Sequence, residues 1–133
     1  MAKNVLNSQF EYIHIFSKKA NRSISDIGFR GEFSNIFNLN SHANKEFSVI
    51  HKATFRIELP EYFIKNFAEK SVIDAFAGTG TVLIACEKTK RINYSMELDA
   101  KYVDVIVKRW QQFTGKEATL EKIGRAHVWT PVT

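Results

Sequence analysis

Asp74-Ala75-Phe76-Ala77-Gly78-Thr79-Gly80-Thr81 is the stretch whose reading decides the fold. Before it, Ser71–Ala75 reads as a short buried strand, and Gly78-Thr79-Gly80 then reads as a turn. After it, Thr81–Lys88 reads as a helix with Val82, Leu83, Ala85 and Cys86 facing inward, and Ile92–Leu98 as a second strand. Asp99 is placed to cap a further helix through about Phe113, whose apolar set Tyr102, Val103, Ile106, Val107, Trp110 and Phe113 keeps a helical period until Gly115 stops it. Upstream, Pro60-Glu61 begins a helix ending near Lys70. The order helix, strand, glycine turn, helix, strand, helix is one βαβ unit of a parallel sheet with a helix on either side, so the fold class is α/β.

The remainder is less regular. Phe10–Phe16 is aromatic and β-branched and reads as a strand. Lys18–Ser23 reads as a basic turn and Asp26–Asn44 as loop with short extended pieces; Phe29, Phe33 and Phe37 have helical spacing, but Gly28 and Gly31 oppose a helix. Residues 123–133 (Ile-Gly-Arg-Ala-His-Val-Trp-Thr-Pro-Val-Thr) resemble the translation of a common sequencing adapter with its in-frame UGA read as Trp129. They are therefore expected to be an artefactual tail, against the alternative of a genuine strand or flexible end. The expected organisation is 1–50 as the end of a catalytic or DNA-facing half with loops, 51–122 as a βαβ ligand-binding part, and 123–133 as the tail.

Composition sets wide bounds. The chain has 133 residues, 44% apolar and 25% charged, enough for one domain with a core. No apolar run nears the roughly 20 residues of a membrane span, and no charged-then-apolar leader opens the chain. With a single cysteine, Cys86, this points to a reducing cytoplasm. A net charge of +5 favours anionic partners, nucleic acid first, although charge alone serves solubility equally well.

The glycine turn and Glu97 form the chemical constellation. Glycines let the backbone turn tightly and let a ligand approach. An acid at the end of the second strand, about 20 residues on, can accept hydrogen bonds from both ribose hydroxyls. A dinucleotide site carries a third glycine where this chain has Leu83, and no Gly-Lys-Ser/Thr phosphate loop occurs. A ligand with ribose and adenine but no phosphates fits better, and S-adenosylmethionine is such a ligand. Asp74 either holds its ammonium, directly or through water, or bonds the backbone of its own turn. Phe76 is placed to pack along the ligand.

At these residues the chain resembles the DNA N6-adenine and N4-cytosine methyltransferases. Members typically carry Asp-Pro-Phe-x-Gly-x-Gly-Thr where this chain has Asp74–Thr81, and Glu-Leu-Asp-Pro-x-Tyr where it has Glu97-Leu98-Asp99-Ala100-Lys101-Tyr102. They often carry His-Pro-Ala-x-Phe-Pro and then Leu-Pro-Glu, where it has His51-Lys52-Ala53-Thr54-Phe55-Arg56 and Leu59-Pro60-Glu61. The resemblance is strong over 51–114 and looser over 10–50. It implies a partial Rossmann-like S-adenosylmethionine-dependent methyltransferase fold, with cofactor contacts at His51, Asp74, Phe76, Ala77, Gly78, Gly80, Thr81, Glu97 and Leu98. It also implies double-stranded DNA as partner, methyl transfer to adenine N6 or cytosine N4, and a place in restriction-modification.

The departures matter. Lys52, Arg56, Ala75 and Ala100 stand where members carry proline. Lys52 and Arg56 put two cations in a loop that should line the methionine end, unless they point to solvent or to DNA. The family's catalytic Asp-Pro-Pro-Tyr motif does not occur, the two prolines being Pro60 and Pro131. No catalytic residue is therefore assigned; the motif is expected upstream of Met1, and this chain alone is expected to be inactive. The alternatives are a non-catalytic remnant or accessory nucleic-acid-binding module, an RNA or small-molecule methyltransferase, and a dinucleotide-dependent dehydrogenase. Lys18, Lys19, Arg22 and Arg30 are candidate phosphate contacts or solvated loop. His14 and His42 lack ligand spacing, so no metal is expected. Trp110, Phe113 and Cys86 are expected in the core.

Overall fold

The computed structural model describes residues 12–16, 18, 36–38, 55–123 and 126–131. Helix α1 (Glu58–Phe67) precedes strand β1 (Ser71–Asp74), which leads through the glycine turn into α2 (Thr81–Thr89), then β2 (Ile92–Ser95) and α3 (Ala100–Thr114). β1 and β2 pair in parallel, from Ser71 opposite Ile92 to Asp74 opposite Ser95. The chain is thus a partial Rossmann-like α/β fold, its crossover helix α2 joining two parallel strands as such a pair requires.

Helices α1 and α3 have local causes. Pro60 sits in the first turn of α1, with Glu58 and Glu61 beside it at the positive end of the dipole. Asp99 caps α3, its Oδ1 accepting the Lys101 N–H at 2.9 Å. Gly115 ends α3 at φ +70, a left-handed conformation glycine adopts without a Cβ clash. The core forms where α1 and α2 cross over β1: Ile64, Ala85 and Cys86 are buried, with Ile57, Ala68, Val72 and Val82 packed around them.

Four expectations are corrected. β1 is not buried throughout, because its side chains alternate: Val72 packs against the core while Ile73 points to solvent with its register partner Tyr94. β2 stops at Ser95, opposite the end of β1 at Asp74, so Glu97 lies beyond the strand rather than at its end. On α2 the most deeply buried residues are Ile84, Ala85 and Cys86, while Val82 and Leu83 are half-buried. On α3, Trp110 is buried but Phe113 is 49% exposed.

Residues 12–16 form no ladder with other described residues, so the strand expected over Phe10–Phe16 is not seen where it is described. Phe37 lies in irregular chain and its ring sits 4.7 Å from that of Tyr62 on α1. Beyond α3, β3 (Ala118–Ile123) and β4 (Ala126–Pro131) form an antiparallel hairpin, with Ile123 opposite Ala126. Within 123–133, Ile123 and Ala126–Pro131 are thus extended and paired. Among the described residues no helix is long and apolar enough to cross a membrane.

Candidate cofactor site

The site is built where β1 and β2 end side by side. Beyond the last register pair, the Met96 N–H donates to the Asp74 carbonyl at 2.8 Å and the Ala77 N–H to the Met96 carbonyl at 3.0 Å. These two bonds carry the parallel alignment past the ladder and bring the two strand-end turns together. Gly78 and Gly80 then take φ +53 and +79, both in the left-handed region. The two glycines meet different needs. A Cβ on Gly80 would come within 3.2 Å of Ile106 on α3, whereas a Cβ on Gly78 would meet nothing within 4 Å. Gly80 therefore accommodates packing, and Gly78 faces open space.

Glu97 joins the turns. Its Oε2 accepts the Gly78 N–H at 2.7 Å and its Oε1 the Asp99 N–H at 3.0 Å. A carboxylate offers about four acceptor positions, so two remain for another donor. Phe76 is 92% exposed and Leu98 fully so, on the two loops that Glu97 connects. Apolar side chains left bare beside a half-buried carboxylate are the elements of a site that takes a partly apolar ligand with hydroxyl donors. These features fit the adenosine part of S-adenosylmethionine: hydroxyl donors for Glu97, ring area for Phe76 and Leu98, and space at Gly78.

Asp74 bonds within its own turn, its Oδ1 accepting the Phe76 N–H at 3.1 Å. Of the two roles open to it, this is the one the geometry displays. Ala77 and Thr81 are buried at the turn and the start of α2. Arg56 is half-buried and pairs with Glu58 at 2.9 Å, so its charge has a partner on α1. His14 is exposed, its ring 6.3 Å from those of Tyr12 and Phe16, and Lys18 is exposed. His51, Lys52, Lys19, Arg22, Arg30 and His42 lie outside the described residues. Among the described residues no group of three His, Cys, Asp or Glu side chains could hold a metal ion.

Two residues at this site escape a reading of the sequence. Thr79 is 3% exposed although it is polar and sits between two glycines. Arg109 on α3 donates through Nη1 to the Thr79 carbonyl at 3.0 Å and to Thr81 Oγ1 at 3.2 Å. The available signal is positional: Arg109 stands three residues after Ile106 on the same face of α3. Knowing that it meets the turn requires knowing how α3 packs.

A family model described as DNA methylase (N6_N4_Mtase) matches residues 1–108. The Type II methyltransferase M.Cfr9I of Citrobacter freundii is 34% identical over 101 residues, which are 74% of this chain and 31% of that protein. The chain thus spans under a third of the length of this curated relative. A solved structure, of a DNA modification methylase from Thermus thermophilus, is 34% identical, covers 45% of this chain and 26% of its own, and superposes with a TM-score of 0.43.

Proposed function

Starting from a chain that belongs to the N6/N4 DNA methylase family, we propose that it supplies the S-adenosylmethionine-binding part of an enzyme methylating adenine N6 or cytosine N4 in double-stranded DNA. The observation that carries this reading is Glu97 bonded to the Gly78 N–H at 2.7 Å, beside open space and between the bare side chains of Phe76 and Leu98. In this reading residues 51–122 are the cofactor-binding part. On the same reading, the methylation would belong to restriction-modification in the cytoplasm.

When bound, the cofactor supplies a sulfonium methyl open to attack by an exocyclic amine nitrogen. The residues of this chain bind and orient. Glu97 would accept the ribose hydroxyls on its two remaining acceptor positions while keeping its backbone bonds, which hold the carboxylate in place before a ligand arrives. Phe76 and Leu98 would cover the adenine, losing apolar exposure. Gly78 leaves the room that a side chain would fill, while Ala77, Gly80 and Thr81 shape the turn. Asp74 keeps Phe76 in position through its bond to the Phe76 N–H and is the acid available to the cofactor's ammonium. His51, outside the described residues, completes the proposed set.

Calorimetry with S-adenosylhomocysteine on the full chain tests the reading. Glu97→Ala is expected to cost about 1–3 kcal/mol of binding, the usual loss of an acceptor carrying full charge. Equal affinity in the variant and the parent would remove Glu97 from the site.

A further inference from the structure

We propose that Arg109 is a positioning residue for the glycine turn, and through the turn for the cofactor, an inference that rests on the cofactor reading above. Thr79 lies between Gly78 and Gly80, the two glycines of the turn that take positive φ. The Ala77 carbonyl accepts the Gly80 N–H at 2.8 Å and the Gly80 carbonyl the Ile84 N–H at 3.2 Å, both in the helical sense. The Thr79 carbonyl instead receives Arg109 Nη1 at 3.0 Å. The same nitrogen reaches Thr81 Oγ1 at 3.2 Å and lies 3.5 Å from Thr79 Oγ1. Thr79 and Thr81 are 3% and 5% exposed, so these polar atoms have little water to turn to.

Ile106, one helical turn earlier on α3, stands 3.2 Å from where a Gly80 Cβ would be. The two residues act as a pair: Ile106 limits how far the turn can move toward α3, and Arg109 pulls its central carbonyl that way. Glu97 holds the opposite side through the Gly78 N–H. The ligand-facing glycine is thereby fixed between a carboxylate and a guanidinium that belong to different turns and helices. A charge-assisted bond to a buried carbonyl is among the stronger single contacts available for this, and lysine, with one ammonium in place of a planar fork, reproduces only part of it.

The test is hydrogen exchange of the full chain, followed by mass spectrometry, in the parent, Arg109→Met, Arg109→Lys and Trp110→Phe. Trp110 is buried on the same helix and donates to Glu87 at 2.8 Å, away from the turn, so its variant reports general loosening of α3. The expected result is exchange faster by about tenfold or more over residues 77–81 in Arg109→Met, less in Arg109→Lys, and no selective change there in Trp110→Phe, with β1 and β2 protected throughout. In the same samples the dissociation constant for S-adenosylhomocysteine should rise about tenfold in Arg109→Met. Parent-like exchange over 77–81 in Arg109→Met overturns the inference. So does loss of protection over the strands and the turn together in both Arg109 variants, since Arg109 would then serve stability alone. If the turn loosens selectively while the parent itself takes no S-adenosylhomocysteine, the positioning of the turn stands and the cofactor reading fails. If the parent binds and both Arg109 variants bind equally well, the link to the cofactor fails while that reading stands.

Discussion

Glu97 Oε2 accepts the Gly78 N–H at 2.7 Å, so a carboxylate just past β2 holds a backbone group just past β1, 19 residues earlier. The bond depends on Gly78 keeping φ +53 and on the parallel pairing that sets the two strand ends level.

Gly80→Ala is expected to lower the melting temperature more than Gly78→Ala. At either position alanine must adopt positive φ, which costs about 1–2 kcal/mol. At Gly80 the new methyl also meets Ile106 at 3.2 Å, while at Gly78 it enters open space. Thermal unfolding followed by circular dichroism reads the difference, and equal shifts would show that Ile106 yields freely.

Trp110→Ala is expected to cost about 3–5 kcal/mol, as for a large buried side chain. Phe113→Ala should cost far less, because Phe113 is 49% exposed against 5% for Trp110. Urea unfolding of the two variants checks this, and similar losses would place Phe113 in the core after all.

Stability is expected to fall in acid through Glu61. Hydrogen bonds from Lys65, then from Lys88, hold its carboxyl below the ordinary value of 4.5 against the opposing effect of burial. A group whose pKa is depressed on folding contributes stability above its unfolded value. That contribution is lost as pH falls from about 4.5 through the lower folded value. Both lysines are substantially exposed, which limits the contribution to about 0.5–1 kcal/mol. Glu61→Gln should flatten the stability profile between pH 5 and pH 3 (about the range over which a carboxylate titrates), and an unchanged slope would assign the acid sensitivity elsewhere.

Cys86 is expected to resist alkylation in the folded chain at mildly alkaline pH and to react on unfolding. It is fully buried, and burial pushes its thiol above the ordinary value of 9.0 despite the Asn93 side chain at 3.7 Å. Labelling with iodoacetamide, with and without denaturant, measures the contrast. Equal rates would mean that the α1–α2 core opens readily.

Much of the α/β unit is legible in local sequence because its signals are local. Glycine tolerates positive φ, Asp99 caps its own helix, Pro60 suits a first turn, and a 3.6-residue period marks α3. The spacing between the glycine turn and Glu97 is likewise fixed by the length of one crossover helix and one strand, which pointed to both for one ligand, whereas the bond between Glu97 and the Gly78 N–H appears only in the structure. Leu83, read as inward-facing, and Phe113, read as core, show where such signals stop: a helical period says which residues share a face, but not where the neighbouring helix begins and ends.

By itself the sequence determined the βαβ order, the two glycines and the acid that faces them, since each follows from backbone preference and chain length. Only the tertiary structure decided that Gly80 answers to Ile106 while Gly78 faces open space, and that Arg109 reaches back 30 residues to the Thr79 carbonyl. These relationships depend on how α3 lies against α2 and on which atoms are left without water. Both are set by packing between elements distant in sequence, which no local preference records.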